Sequence, residues 1–318
     1  MSGVSEYGRV PFLPEKALRE HQVFEQADDR FRSAVRARQA LLREQKGWSI
    51  GLYPPAAETQ REIGSYLGNT DPDANFITKE VVQLVRREVA FREDDALIDQ
   101  QRLYRNMVSS HPATFNLFGP LKLDLKLASS VARRLCPDFV RKATGVLFEH
   151  SPARRHPAFT ADRTAFDVLI KAQTTAGHGF IAIEVKFTES MAETPARLRP
   201  RYDELSTASG LFKDPDSPEL RAAPLQQLWR QHMLAAAMIM NGLYSAGRFM
   251  VVAPSLNRRV WDAVAQFRNH LIDDGAVVTF DAITLETLVA AIRKAGAKDI
   301  ASLLHERYCD FSPLDALI

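Results

Sequence analysis

The sequence predicts an α/β protein with a mixed central sheet flanked by helices and preceded by a helical extension. Apolar residues recur at helical spacing among many charges in the first third of the chain. Three segments between residues 144 and 188 are rich in β-branched and aromatic residues, and the pattern then alternates between helix and strand. We therefore divide the chain into a helical N-terminal region, residues 1–108, and a sheet-containing domain, residues 109–318.

The N-terminal elements are expected to be helices. Helical spacing of apolar residues extends from about Pro14 to Gln45. A second helix is expected after Asp71-Pro72-Asp73, because Asp and Pro favour the start of a helix. A third helical region runs from about Asp94 to Leu135, and we expect Gly119-Pro120 to interrupt it, since proline disrupts a helix interior.

Three strands are predicted next, at Thr144–His150, Thr164–Lys171 and Phe180–Thr188. Because they follow one another with only turn residues between them, we expect them to pair antiparallel. The remaining chain is expected to form helix 217–241, strand 249–253, helix 257–272, strand 276–280 and further helices. Such alternation of strand and helix favours a parallel addition to the sheet.

Composition and charge are those of an ordinary globular protein. Hydrophobic residues make up 46% of the 318 residues and charged residues 25%. The net charge of +2 permits nucleic-acid binding without requiring it, because such binding depends on where the basic residues cluster and not on the net charge. With neither an apolar signal segment nor a long uncharged apolar stretch, the chain is expected to be cytoplasmic and without a membrane partner.

Two of the predicted strands carry charged residues on one face. Side chains alternate along a strand, so Glu184 and Lys186 share a face while Ile181, Ile183 and their apolar neighbours share the other. In the preceding strand Asp167 likewise lies opposite the apolar residues that flank it. A solvent-exposed charged face is the alternative interpretation of this pattern.

A hairpin through Thr174–Gly177 would bring these charges together. That pairing places Asp167 opposite Glu184, with Cβ atoms about 4.5–5.5 Å apart. Two opposed carboxylates destabilise each other unless a cation lies between them. Mg²⁺ suits a few carboxylates completed by water and substrate phosphate, and Mn²⁺ is an expected substitute. Lys186 would then orient or deprotonate the attacking water, or stabilise the developing negative charge.

This arrangement resembles the PD-(D/E)XK nuclease superfamily. Asp167 followed by Glu184-Val185-Lys186 matches its signature, and the order of elements over roughly residues 110–285 matches its restriction-endonuclease-like αβββαβ core. Phe166 stands where the name of the motif has proline. The segments Asn116–Pro120 and Gln227–Arg230 are similar to those of a bacterial group of restriction-endonuclease-like proteins within the superfamily.

The resemblance implies Mg²⁺-dependent hydrolysis of phosphodiester bonds. Asp167 and Glu184 would be metal ligands, the backbone carbonyl of Val185 would also bind the metal, and Lys186 would be the catalytic base or stabiliser. DNA is the expected partner, in restriction-like defence or DNA processing. A catalytically inactive nucleic-acid-binding or scaffold module of the same fold is an alternative, as is an RNA-directed nuclease. Double-strand cutting would favour a homodimer.

Further polar residues are candidates for the site. Gln227 and Gln231 lie four apart on a predicted helix and share a face. In several branches of the superfamily a polar residue of this helix reaches the active site, so Gln227 is included among the catalytic residues. Glu149 on the first strand is a candidate additional acid. Asn116, in an otherwise apolar run, either points into the site or makes a structural hydrogen bond.

A basic segment follows the third strand. Arg197, Arg199 and Arg201 precede an aromatic residue, Tyr202. Arginines with an aromatic side chain can bind phosphate and stack on a base. The sequence therefore predicts nucleic-acid contacts here, with a solvated loop as the alternative.

Overall fold

The N-terminal region combines helices with a small hairpin. In this computed structural model, which describes residues 10–53, 60–272 and 274–318, it starts with two helices and the hairpin strands. These elements are α1 (Glu15–Glu20), α2 (Arg30–Gln45), β1 (Ile50–Tyr53) and β2 (Arg61–Leu67), followed by α3 (Lys79–Ala90) and α4 (Gln100–Arg105). The predicted region also includes residues 1–9 and 54–59, which lie outside the described residues.

The hairpin corrects the prediction of a purely helical region. β1 and β2 pair antiparallel. Leu67 of β2 is fully buried and packs with Leu42 of α2 and with Met107. Burial of this apolar residue against α2 stabilises the hairpin. The division of the chain at residue 108 stays a prediction, because α2 and α3 contribute to the same apolar core as the central sheet.

Two long helices follow, α5 (Ser110–Leu123) and α6 (Leu125–Leu135). The predicted break at Gly119-Pro120 is wrong, because both residues lie inside α5. Pro120 removes one backbone hydrogen bond, but every residue of α5 from Pro112 to Leu121 is buried and this packing compensates. The break comes instead at Asp124, whose carboxylate accepts hydrogen bonds from the first amides of α6.

The central sheet has five strands in spatial order of sequence. They are β3 (Val140–His150), β4 (Phe166–Thr174), β5 (Gly177–Val185), β6 (Ala246–Ala253) and β7 (Val278–Thr284). The first three strands pair antiparallel, whereas β6 and β7 add parallel to β5. The predicted mixed sheet flanked by helices is therefore confirmed. β4 and β5 extend further toward their turn than predicted, since only two residues separate them.

Helices connect and cover the later strands. They are α7 (Pro200–Ala208), a 3₁₀ turn (Pro218–Arg221), α8 (Gln226–Met240), α9 (Arg258–His270), α10 (Leu285–Lys294), α11 (Lys298–Tyr308) and a terminal 3₁₀ turn (Ser312–Leu317). The helix predicted over 217–241 is thus divided before α8, where Pro224 offers no amide donor. No described helix is long and apolar enough to cross a membrane.

Each face of the sheet buries its own apolar core. On one face, Ile181 and Ile183 pack with α2, α3, α5 and α6, as the predicted alternation requires. On the other face, Phe180 and Ala182 pack with α7, α8 and α9. Phe166 was predicted to share a face with Val168 but packs on the second face, against Phe249. The alternation therefore fails at the beginning of β4, where the candidate site begins.

Candidate active site

Two carboxylates meet where β4 begins and β5 ends. The strands pair in the predicted register, with Val168 beside Ile183. One step further along both strands, Asp167 lies beside Glu184. The backbone amide of Val185 donates a hydrogen bond to Asp167 Oδ2 at 2.7 Å, which fixes this carboxylate at the end of the hairpin.

Glu184, Lys186 and Gln227 form a hydrogen-bonded triangle. Lys186 Nζ lies 2.8 Å from Glu184 Oε1 and donates to Gln227 Oε1 at 2.7 Å. The side-chain amide of Gln227 donates to Glu184 Oε1, also at 2.7 Å. Glu184 and Lys186 are 3% and 5% exposed, so the pair is shielded from water and held by three mutually consistent contacts.

Gln231 holds the second oxygen of Glu184. Its side-chain amide donates to Glu184 Oε2 at 2.5 Å and to the carbonyl of Ala165 at 3.0 Å. The Oε1 atom of Gln231 is buried and has no hydrogen-bond partner within the described part of the chain. Because Gln227 and Gln231 are one helical turn apart on α8, this helix contacts both carboxylate oxygens of Glu184.

The site around Asp167 and Glu184 carries more acidic than basic charge. The pKa of Asp167 is raised well above its usual range, first by burial and then by the charges of Glu184 and Glu149. Burial raises the pKa of Glu149 to about 7, although Arg154 opposes this. Burial alone would lower the pKa of Lys186, but the charges of Glu184 and Glu189 and the hydrogen bond to Glu184 together outweigh it, and the pKa is raised. Lys186 therefore remains a cation and neutralises only part of the acidic charge.

A divalent cation fits these residues. The donor atoms that face one another are carboxylate oxygens, which hard cations such as Mg²⁺ and Mn²⁺ prefer. Within the described residues, no three His, Cys, Asp or Glu side chains are grouped so that they alone could hold a metal ion. The protein therefore offers Asp167 and Glu184, and the remaining coordination positions are left to a backbone carbonyl, water and substrate.

The acids line a cavity of about 380 Å³. Asp167, Glu184 and the two α8 glutamines line it together with Glu149, whereas Lys186 contacts two of these residues, Glu184 and Gln227. Arginines line the same cavity, and all but the last of them are exposed: Arg163, Arg197, Arg199 and Arg230. A larger cavity of about 880 Å³ lies between α2 and α9, but it contains none of the predicted site residues.

Asn116 lies outside this cavity. Its side chain is fully buried, accepts a hydrogen bond from the amide of Ile77 at 3.0 Å, and donates to Asn75 O and to the hydroxyl of Tyr308. These bonds tie α5 to the segment before α3 and to α11. Of the two roles that the sequence left open, the structure shows the structural hydrogen bond.

The basic segment is partly a helix and not a solvated loop, since α7 begins at Pro200. Arg197 and Arg199 line the cavity, but Arg201 donates to the carbonyls of Phe159 and Ala158 and is used structurally. Tyr202, predicted as a surface for stacking bases, is buried and donates to Asp162 Oδ2 at 2.7 Å. Arg201 and Tyr202 differ from the prediction for the same reason, because α7 directs both side chains against the loop before β4.

Asp162 and Arg230 are cavity residues that the sequence did not indicate. Asp162 accepts hydrogen bonds from Thr160, Thr164, Tyr202 and Arg230, and so joins the loop before β4 to α7 and α8. Arg230 could have been found from helical spacing, because it lies three residues after Gln227. Nothing local to Asp162 indicates its partners Tyr202 and Arg230, which come from two later helices.

The comparison with known proteins agrees with this geometry. The sequence model of the PD-(D/E)XK nuclease superfamily matches residues 26–310, most of the chain and all of the candidate site. No curated protein matches the chain. No solved structure matches it either. Members of the superfamily typically use divalent metal ions. With its mixed five-stranded sheet and its family match, the chain belongs to the PD-(D/E)XK nuclease superfamily.

Proposed function

We propose that this protein is a Mg²⁺-dependent nuclease that hydrolyses phosphodiester bonds of DNA, in restriction-like defence or in DNA processing. The observation that carries the proposal is the placement of Asp167, Glu184 and Lys186 together, with both acids lining a cavity that exposed arginines also line. Nothing in the site requires a particular base sequence, so the proposal concerns the reaction and its substrate class.

Asp167 and Glu184 are the proposed metal ligands, with the carbonyl of Val185 as a third oxygen donor. Mg²⁺ is the proposed ion and Mn²⁺ its substitute, since both accept oxygen ligands and retain water. When bound, such an ion makes a coordinated water more acidic and neutralises charge on a phosphate. Gln231 and Gln227 keep the Glu184 carboxylate in place through both of its oxygens.

Lys186 is proposed to stabilise negative charge that develops on the scissile phosphate. An ammonium group has three N–H donors and no acceptor. Glu184 and Gln227 take two of these donors, which orients the third. The structure favours this stabilising role over that of a general base, because a lysine hydrogen-bonded to a buried carboxylate retains its proton. Gln227 is then a positioning residue for Lys186.

Arg163, Arg197 and Arg199 are the proposed contacts to the phosphodiester backbone. They are exposed and line the same cavity as the acids. Arg197 and Arg199 form no ion pair with a carboxylate of the described residues, and Arg199 donates only to the carbonyl of Ala161, so their charges are not neutralised and can attract a phosphate. Because such contacts are electrostatic, binding should weaken steeply with added salt.

The test is a cleavage assay with the purified full chain. Linear, supercoiled and single-stranded DNA, and RNA of matching sequence, are incubated with Mg²⁺, with Mn²⁺ or with a chelator. We expect metal-dependent cleavage of DNA that Asp167→Ala abolishes and that Lys186→Ala slows by roughly 10²–10³-fold. Lys171→Ala is the matched control, because this exposed lysine of the same hairpin lies away from the cavity. Binding without cleavage would instead establish the inactive module, and cleavage of RNA alone would change the substrate.

A further inference from the structure

The catalytic cavity is small for a duplex. Its volume of about 380 Å³ is near the lower end of the roughly 300–1,000 Å³ that accommodates a drug-sized ligand, which is the scale of one nucleotide. A double helix is much larger than one nucleotide, since its major groove alone is about 12 Å wide. Since Glu184 lines this cavity and is almost completely buried, a phosphate must enter the cavity to approach it.

Three segments surround the cavity, and we call them the collar: residues 93–98, 151–165 and 196–201. Each segment contributes to the cavity lining, the first through Leu97, the second through Arg163 and its neighbours, and the third through Arg197 and Arg199 among others. Side-chain contacts fasten the first segment to the second, the second to the third, and the third to α8.

The first and second collar segments are joined through Glu93. Its carboxylate accepts hydrogen bonds from the amide of Ser151 at 3.1 Å and from Arg154, and it also contacts the ring of His150. Arg154 is only 5% exposed at its side chain and also donates to the carbonyl of Glu149. Asp95 adds exposed ion pairs to Arg155 at 3.1 Å and to Arg163 at 3.4 Å, which contribute less.

The second and third segments are joined through arginines of the third. Arg199 donates to the carbonyl of Ala161 at 3.2 Å, and Arg201 donates to that of Phe159 at 3.0 Å. The third segment is closed onto α8 by Gln226, whose side chain accepts from the amide of Ala196 at 2.6 Å and donates to its carbonyl at 2.7 Å. The collar is therefore fastened at each of these junctions.

We infer that the site takes an unpaired strand, so that the substrate class is single-stranded DNA, including unpaired ends and tails, and not intact duplex. This inference rests on the proposed function and narrows it. A single strand can enter the collar one nucleotide at a time, with its backbone along Arg163, Arg197 and Arg199, as in other proteins with an electropositive channel for single strands. An intact duplex would have to unpair or the collar would have to open.

The test separates strand preference from catalysis. One labelled oligonucleotide is presented as a single strand, as a blunt duplex and as a duplex with an unpaired tail. Binding is measured by fluorescence anisotropy with Lys186→Ala in Mg²⁺, and cleavage is measured with the unaltered protein. We expect the single strand to bind at least about tenfold more tightly than the blunt duplex, and cuts in the tailed duplex to lie in its unpaired part.

Equal or tighter binding of the blunt duplex would overturn the inference and leave the proposed nuclease function standing. Preferential binding of the single strand without cleavage of any substrate would support the inference while the proposed function fails. Equal cleavage of single strand and blunt duplex also contradicts the inference.

Opening the collar provides a second measurement. Glu93→Ala removes the acceptor that joins the first two segments, so the preference for single strand over duplex should fall by at least about threefold. Asp94→Ala is the matched control, because this adjacent acid of the same segment is exposed and its carboxylate makes no hydrogen bond or ion pair to the described residues of the other two segments. Thermal melting of each variant confirms folding. If Glu93→Ala unfolds the protein, Asp95→Ala loosens the same junction more mildly and should shift the preference in the same direction. An unchanged preference in folded Glu93→Ala would contradict the collar as its cause.

Discussion

α5 and α8 each bury an amide side chain in an apolar helix, and the two amides are used in opposite ways. The oxygen and the amide nitrogen of Asn116 on α5 are both hydrogen-bonded to distant backbone and to Tyr308. Gln231 on α8 finds no partner for its buried oxygen among the residues that the structure describes, and it directs its amide at an acid. A satisfied buried amide is part of the scaffold, whereas an unsatisfied one beside excess charge indicates a site that is completed by something else.

Apart from the metal ligands, the largest effect on cleavage is expected from Lys186, whose ammonium group contacts Glu184 of β5 and Gln227 of α8. Lys186→Ala removes the group proposed to stabilise charge on the phosphate, so the rate of DNA cleavage should fall by roughly 10²–10³-fold. The measurement is the initial cleavage rate in Mg²⁺ at equal concentrations of folded protein. Lys171→Ala should retain the full rate, and an equal loss in both variants would argue against a specific role for Lys186.

The amide of α5 should affect stability and not chemistry. Asn116→Ala removes the acceptor of the Ile77 amide and the donor to Asn75 O and to the hydroxyl of Tyr308, which should lower the free energy of unfolding by roughly 2–4 kcal/mol. Urea denaturation measures this loss. Cleavage per folded molecule should stay unchanged, and a selective loss of cleavage would return Asn116 to the site.

A smaller effect is expected from the glutamine that positions Lys186. Gln227→Ala removes the acceptor of Lys186 and a donor to Glu184 but leaves their direct ion pair at 2.8 Å. We expect kcat to fall about tenfold with little change in KM, since positioning and not binding is impaired. Gln227→Glu, which keeps an acceptor for the ammonium, should recover part of the rate. A purely structural role would show instead as a loss of stability that Gln227→Glu does not restore.

The smallest effect is expected from Glu149, which contributes to the excess of acidic charge at the site and should affect stability. Burial raises the pKa of Glu149 from its ordinary value of 4.5 to about 7, so the folded protein holds a proton there that the unfolded chain has lost. The free energy of unfolding must therefore fall as pH rises through this window. Glu149→Gln should be more stable than the unaltered protein by about 1–2 kcal/mol at pH 8 in the absence of metal. The gain should vanish at pH 4, and an equal gain at both pH values would contradict this origin.

The paired acids were predictable from sequence because two local rules determine them. Alternation assigns Glu184 to a face, and the short turn after Thr174 sets the register that brings Asp167 beside it. These rules placed Phe166 on the wrong face. Regular alternation ends at this residue, and its side chain packs on the face opposite to that of Val168. Glu149, on the neighbouring strand, has a φ of 45°, which alternation alone does not anticipate.

Other features depended on partners far away in the chain. The role of Asn116 is decided by Tyr308, 192 residues later, and that of Tyr202 by Asp162 in an earlier loop. The hairpin β1–β2 was missed because its burial against α2 is not visible in its own composition. The collar likewise comes from contacts between segments that local sequence does not connect, such as Glu93 with Arg154.

The central claim is that Asp167 of β4 and Glu184 of β5 form the catalytic centre, whereas Asn116 of α5 and its hydrogen bonds only support the fold. Its most direct test measures metal-dependent DNA cleavage per folded molecule for Asp167→Ala and Asn116→Ala side by side. The account predicts no cleavage by Asp167→Ala in a stably folded protein, and full cleavage by the less stable Asn116→Ala. Retention of cleavage by Asp167→Ala, at the unaltered rate and with the same metal requirement, would contradict it.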